Sequence, residues 1–387
     1  MDKRESRTGW QRRRMPLLVV IATMLLLVPL AGCGRPNTAR PAANWRRAVT
    51  ASRASRQSLL PSVVMLREAA AVRLADDTFP FIAQAQDVSQ DRNGEYVVAD
   101  VSDKDIKVYD RRGRRIRTIG APGVADSAFV QLGDAELAGD TVVAFDAARQ
   151  RVLFFGPGGQ FVRTIPIPPP AAAAVRVLDD SLLLYIARMP AGPGLLRIVH
   201  LDGRPVSSFF SRAAMADIDP LILFHTHLMA DGADGIVVVG VAGTDSIFVF
   251  DYEGRQLAAG LIDAQTPLPS LVHALEANNG RARRRDGNWY YDGARFLFRV
   301  VVLDASHVLE FIAPYNTRDG TDLVQGGTIL ALTRNGDQIR IAHRWESLVG
   351  LFGRSPSGGA LYLGYADTTR LHYAVMLTPI PPPTSAP

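Results

Sequence analysis

From Gly94 onward the chain alternates short apolar runs with polar gaps that carry glycine, and the order of the runs repeats. Tyr96 to Asp100 is an apolar run ending in Asp, Ile106 to Tyr109 a second run, Gly113 a gap and Ile116 to Ile119 a third. The order recurs as Val142 to Asp146, Val152 to Phe155, Gly159 and Phe161 to Ile165. Six residues separate Asp100 from Ile106 and also Asp146 from Val152, and the whole unit advances by 46. Runs of four to eight residues rich in β-branched and aromatic side chains, with glycine between them, predict antiparallel strands joined by hairpins. A period of ~40–50 residues built of such strands is that of a propeller blade.

Looser copies follow. Leu182 to Tyr185 with Leu195 to Leu201 and Gly203 makes a third unit, and Gly235 to Val239 with Ile247 to Asp251 and Gly254 a fourth. Phe296 to Leu303, His307 to Ala313, Ile329 to Leu332 and Ile339 to His343 give four runs of a fifth, and Gly359 to Leu363 with His372 to Leu377 a sixth. The pattern predicts an all-β fold, a β-propeller of six blades of four antiparallel strands, with a strand near Ala71 to Leu74 completing the last sheet and closing the ring. The turn glycines Gly254 and Gly336 stand 82 apart, room for a seventh blade, but residues 266–285 lack strand alternation. Leu268, Leu271, Val272 and Leu275 fall on one helical face after Pro267 and Pro269, so a short helical insertion is expected there.

Val98-Ala99-Asp100 followed by Ile106-Lys107-Val108-Tyr109 resembles the NHL repeat, and the chain as a whole looks like the six-bladed propeller lipoproteins of bacteria. The likeness is carried by residues 94–165. It departs at Asp103 and Asp105, where the family often shows Asn and Arg, and at Arg149, while Arg151 restores the Arg. It implies a propeller and leaves the activity open, because propellers host unrelated functions.

The ends of the chain give an address. Six Lys or Arg residues lie within Met1 to Met15, and the apolar run Leu17 to Leu30 is fourteen residues long. That suits the core of a secretory signal and falls short of the ~18–20 residues of a spanning helix. Leu30, Ala31, Gly32 and Cys33 follow, and they resemble the lipobox of bacterial lipoproteins, in which cleavage before the cysteine precedes its acylation. The expected organisation is a signal peptide over 1–32, a tether over 33–61, the propeller over 62–378 and a Pro-rich tail over 379–387. The location expected is extracytoplasmic, lipid-anchored through Cys33. Gly34 is not the Asp that retains lipoproteins at a Gram-negative inner membrane, so the outer membrane is expected where the source has one.

Cys33 is the only cysteine, which leaves no disulfide, thiol nucleophile or cysteine metal cluster in the mature chain. Residues 1–32 hold six basic and two acidic residues, +4 of the whole-chain +5, so the mature protein is near +1. A nucleic-acid partner, which needs a persistent basic face, is not expected.

Compact catalytic motifs are absent: there is no Gly-x-Ser-x-Gly, His-Glu-x-x-His or P-loop. Asp100 and Asp146 occupy equivalent positions and would begin a ring of carboxylates around a cation, but later blades lack the Asp there. A cap on backbone N–H groups is the expected role of each. His225 and His227 would share a strand face near Asp217 and Asp219, and they read as ordinary strand residues rather than metal ligands. Arg281, Arg283, Arg284, Arg285, Trp289, Tyr290 and Tyr291 form the most unusual local composition of the mature chain. They stand either as a clasp for an anionic saccharide or acidic protein partner, or as a solvated charge run leading into a strand. The function expected is a non-catalytic binding or assembly module for an unidentified protein or saccharide, with no cofactor. The alternative is a metal-dependent enzyme of the sugar-lactonase or lyase type, with a central divalent cation held by inward carboxylates. Glu95, Glu136, Glu253, Glu310 and Glu346 stand at unmatched blade positions for that purpose.

Overall fold

The structure is a computed structural model. It describes residues 65–74, 82–187, 194–211, 228–241, 246–261, 283–285, 288–290, 295–305, 307–314, 327–335, 338–347, 352–355, 360–366 and 371–380. The chain divides into units 1–43 and 44–387, and all described residues belong to the second.

Among the described residues the regular elements are strands, and they form six four-stranded antiparallel sheets and one hairpin. Strand β1 (Met65–Leu74) belongs to the sixth sheet. The first sheet is β2 to β5: Ala85–Gln90, Tyr96–Asp100, Asp105–Tyr109 and Arg115–Ile119. The second is β6 to β9: Leu132–Ala138, Thr141–Asp146, Arg151–Phe155 and Phe161–Pro166. The third is β10 to β13: Ala172–Leu178, Leu182–Ala187, Leu196–His200 and Pro205–Phe209. The fourth is β14 to β17: Leu228–Ala233, Ile236–Val241, Ser246–Asp251 and Gln256–Leu261. A hairpin, β18 (Arg283–Arg285) and β19 (Asn288–Tyr290), precedes the fifth sheet. That sheet is β20 to β23: Arg295–Asp304, His307–Pro314, Gly327–Asn335 and Gln338–Ser347. The sixth has β24 (Phe352–Arg354), β25 (Ala360–Ala366) and β26 (Leu371–Ile380), with β1 as its outermost strand.

The first strands of the sheets touch in cyclic order, β2 to β6, β10, β14, β20, β24 and back to β2, so the sheets stand around one axis. Closure joins the two ends of the chain: β1 pairs with β26 from Met65 opposite Ile380 to Leu74 opposite His372. The closing strand expected near Ala71 to Leu74 therefore starts earlier, at Met65, and β26 runs two residues past 378 into the Pro-rich tail. At the seam Gly353 lies against the backbone of β2, where a β-carbon would collide with the Val88 carbonyl. Of the segment read as a helical insertion, 266–282 lies outside the described residues, whereas Arg283 to Arg285 form strand β18.

The core sits in the wedges between neighbouring sheets. One cluster joins Val97, Ile106 and Val108 to Val142, Leu153 and Phe155, and the next joins Val143, Phe145 and Phe154 to Val175, Leu183 and Tyr185. In the first four sheets the second and third strands are buried on both faces, as in β3 and β4, because a sheet lies on either side. Fourth strands alternate instead, with a bulge at one place in four successive sheets: Ile116, Val162, Val206 and Leu257 are each skipped by the register. Such bulges twist an exposed edge away from foreign strands.

Candidate functional site

The first strand of a sheet has its outer side paired and its inner side turned to the axis, so its unpaired N–H groups need partners there. Each of the six inner strands places at least one ionisable side chain at this axis: Asp87, Asp134 with Glu136, Arg176, Asp231, Arg299 and Arg354. In three sheets a bulge aims the group. The register skips one residue just before Asp87, Asp134 and Arg299, which then stand opposite Ala99, Phe145 and Phe311. Glu136 and Arg176 lie one pleat further along their strands, two residues past the first in-register position after the bulge, which Asp134 and Ala174 occupy.

The charges interlock across sheets. Arg299 Nη2 donates to Asp87 Oδ2 at 2.5 Å, Arg176 Nη1 lies 2.8 Å from Asp134 Oδ1, and Arg354 donates through Nε to Asp231 Oδ2 at 3.2 Å and through Nη2 to Asp231 Oδ1. The carboxylates also take backbone donors of the next inner strand: Val175 N–H to Asp134 (3.4 Å), Val177 N–H to Glu136 (2.7 Å) and Val302 N–H to Asp231 (2.8 Å). Burial sets the electrostatics, since ions out of water interact strongly and tolerate no missing partner. Burial raises the Asp87 pKa despite Arg299 and Arg176 beside it. Burial would lower Arg176, but Asp134, Glu136 and Asp87 outweigh it and hold the guanidinium above its usual range. Glu136 is pushed up to about 7, first by burial and then by Asp87 and Asp231, against Arg176 and Arg299.

This arrangement is a lock on the ring rather than an open cation cradle. The alternative with a central divalent ion needs inward carboxylates with free lone pairs. Here three guanidiniums and the backbone N–H groups of Val88, Val175, Val177 and Val302 occupy them.

The comparisons bear on the fold. No family model matches the chain, and neither does any curated protein. Among solved structures it is similar to a Bacteroides vulgatus protein of the DUF4221 family, with 10% identity over 82% of this chain and 99% of that one and a TM-score of 0.58. It is also similar to an exported protein of Bacteroides fragilis, with 10% identity over 84% and 98% and a TM-score of 0.55. With six sheets set around one axis, these likenesses decide the architecture. The chain folds as an all-β propeller. At 10% identity they carry the fold alone.

Asp100 and Asp146 are caps in this propeller. Asp100 accepts from Ala83 N (2.6 Å), Gln84 N (3.0 Å), Ser102 N (3.2 Å) and Asp103 N (3.3 Å), and Asp146 from Val130 N (3.3 Å) and Gln131 N (3.1 Å). Each thereby ties the end of a second strand to the stretch entering the first. Asp100, Asp103 and Asp105 bring their carboxylates together, but Lys107, fully buried, fills their centre. Its ammonium is 2.6 Å from Asp100, 2.6 Å from Asp103 and 3.2 Å from Asp105. Burial would raise Asp100 and lower Lys107; their mutual pairing reverses both, while Asp105 stays raised by burial.

Of the arginine and aromatic stretch, β18 and β19 put Arg283 opposite Tyr290 and Arg284 opposite Trp289, with Arg285 at the turn. Arg281 and Tyr291 lie outside the described residues, as do Leu30, Ala31, Gly32, Cys33, His225 and His227. A hollow of about 460 Å³ is lined by Gly120 to Ala125, Ser127 and Ala128 with Phe155, Gly159 and Phe161, none of them ionisable. The axial charges other than Glu136 are not visible as a motif. Their signal is a single Asp or Arg interrupting an apolar run ahead of a turn, as at Val175-Arg176-Val177 and Ala230-Asp231-Gly232.

Proposed function

We propose that this protein is an exported, lipid-tethered, six-bladed propeller of the cell envelope that serves as a non-catalytic binding or assembly module. The observation that carries this reading is the self-neutralised axis. Side chains of every blade converge only there, and the carboxylates that a catalytic cation would need are already held by Arg176, Arg299, Arg354 and backbone N–H groups.

Recognition then belongs to the rim. The hairpin of β18 and β19 aligns arginines with aromatic residues, a composition that suits an anionic saccharide or an acidic protein surface. Export is supported by the basic start, the apolar run Leu17 to Leu30 and the lipobox-like Leu30 to Cys33, and by the exported character ascribed to the Bacteroides fragilis neighbour. Acylation at Cys33 supplies more than one chain, as stable anchoring requires, and Gly34 favours the outer membrane where there is one. The near-neutral mature chain gives nucleic acid no hold.

The test is affinity capture from crosslinked, detergent-solubilised envelope of the source cell, with the intact lipoprotein as bait. The expected result is one enriched partner, lost on R283E/R284E. Failure to enrich any component, while control lipoproteins retain theirs, would overturn the reading.

A further inference from the structure

Among the described residues the axis holds four carboxylates, Asp87, Asp134, Glu136 and Asp231, and three guanidiniums, Arg176, Arg299 and Arg354. The pairing is one to one for three of the four acids. Arg299 is closest to Asp87 at 2.5 Å, Arg176 to Asp134 at 2.8 Å, and Arg354 to Asp231. Glu136 is the acid left over: Oε1 has only the second contacts of two arginines already engaged, 3.3 Å to Arg176 and 3.4 Å to Arg299, and Oε2 accepts the Val177 N–H. It is also the most exposed of the four acids, its side chain 16% accessible against 5% or less for the others, so a proton has a route to it.

We infer that Glu136 is a proton switch for the channel: protonated, it leaves the axis neutral, and ionised, it places one uncompensated negative charge where blades two, three and five meet. The groups facing it come from every inner strand: Asp87 from β2, Asp134 on its own β6, Arg176 from β10, Asp231 from β14, Arg299 from β20 and Arg354 from β24. Burial and the acid neighbours Asp87 and Asp231 outweigh the two shared arginines, so the proton is released around neutrality. Ionised Glu136 competes with Asp134 for Arg176 and with Asp87 for Arg299, and so loosens two of the three arginine–carboxylate links between blades at the moment it gives the channel a charge. The lock is therefore tightest on the acid side of neutrality, and the channel attracts cations on the alkaline side. This inference is independent of what the rim binds.

Infrared titration of the intact protein reads the switch directly. One carboxylic-acid carbonyl band is expected to disappear as pH rises from 5.5 to 8.5, and to be missing throughout in Glu136→Gln. Thermal unfolding gives the second readout. A raised carboxyl pKa holds a proton in the folded chain that the unfolded chain releases, so the wild-type melting temperature should fall through this window. In Glu136→Gln that fall should vanish. Should the glutamine variant not fold, the wild-type band decides alone: no protonated carboxyl at pH 5.5, or a band unchanged at pH 8.5, overturns the inference. A band that persists in a folded Glu136→Gln protein assigns the proton to another acid and overturns it equally.

Discussion

Replacing Lys107 by Met removes a buried cation while keeping an unbranched apolar stem of similar length, so it isolates the charge. The ammonium has no exposed surface and sits 2.6 Å from Asp100 and from Asp103 and 3.2 Å from Asp105. At an effective dielectric of about 20, each of the shorter contacts is worth about 6 kcal/mol of Coulomb attraction. Desolvating the ions offsets much of this, and Asp103, 30% exposed, contributes least for that reason. What the variant loses is the compensation of carboxylates that stay buried, about 3–5 kcal/mol for one partner removed. The sign with pH follows. Without the ammonium the Asp105 carboxyl, already raised by burial, is raised further, so the deficit is complete at neutral pH and shrinks as pH falls through the raised value. Urea unfolding followed by circular dichroism at pH 7.5 and pH 4.5 measures both terms. A deficit under about 1 kcal/mol at pH 7.5, or one equal at the two pH values, would refute the reasoning.

Three further substitutions separate ring closure from anchoring. Gly353→Ala should prevent the sixth sheet from seating against Val88, costing about 3 kcal/mol or more by overpacking. Gly139→Ala, with open space around a left-handed turn residue, should cost only about 1 kcal/mol, and paired melting curves compare them. Cys33→Ala should move the protein from the membrane to the soluble fraction on cell fractionation, and retention at the membrane would mean that something other than lipid holds it.

The second, third and fourth strands of the early blades are legible in the sequence because packing between two sheets demands continuous apolar runs, and tight turns demand Gly113, Gly159, Gly203 and Gly254 at left-handed φ. The inner strands are harder to see. Their apolar pattern is interrupted by the charges they carry inward, as in β6 with Asp134 and Glu136, and by bulges that break strict alternation. The axial site is dispersed from Asp87 to Arg354, and its members share neither spacing nor sign. Only closure of the ring makes Arg299 the neighbour of Asp87, 212 residues away. Asp100 shows the opposite case, since a cap is a local requirement and an Asp followed by a polar loop announces it. Lys107 stands in the middle of a buried strand, and only the three nearby carboxylates explain it.

The claim that the axis is a closed ion-pair lock, and with it the reading of a binding module rather than a metal enzyme, is tested most directly by elemental analysis of the mature protein. The purified chain would be equilibrated at pH 6, where Glu136 holds its proton, with calcium, magnesium, manganese and zinc in turn and then desalted. The lock predicts no ion retained at stoichiometric level, with R176M raising retention because it releases Asp134 and Glu136. One tightly held divalent ion per wild-type chain, lost when Asp134 or Glu136 is changed to its amide, would contradict it.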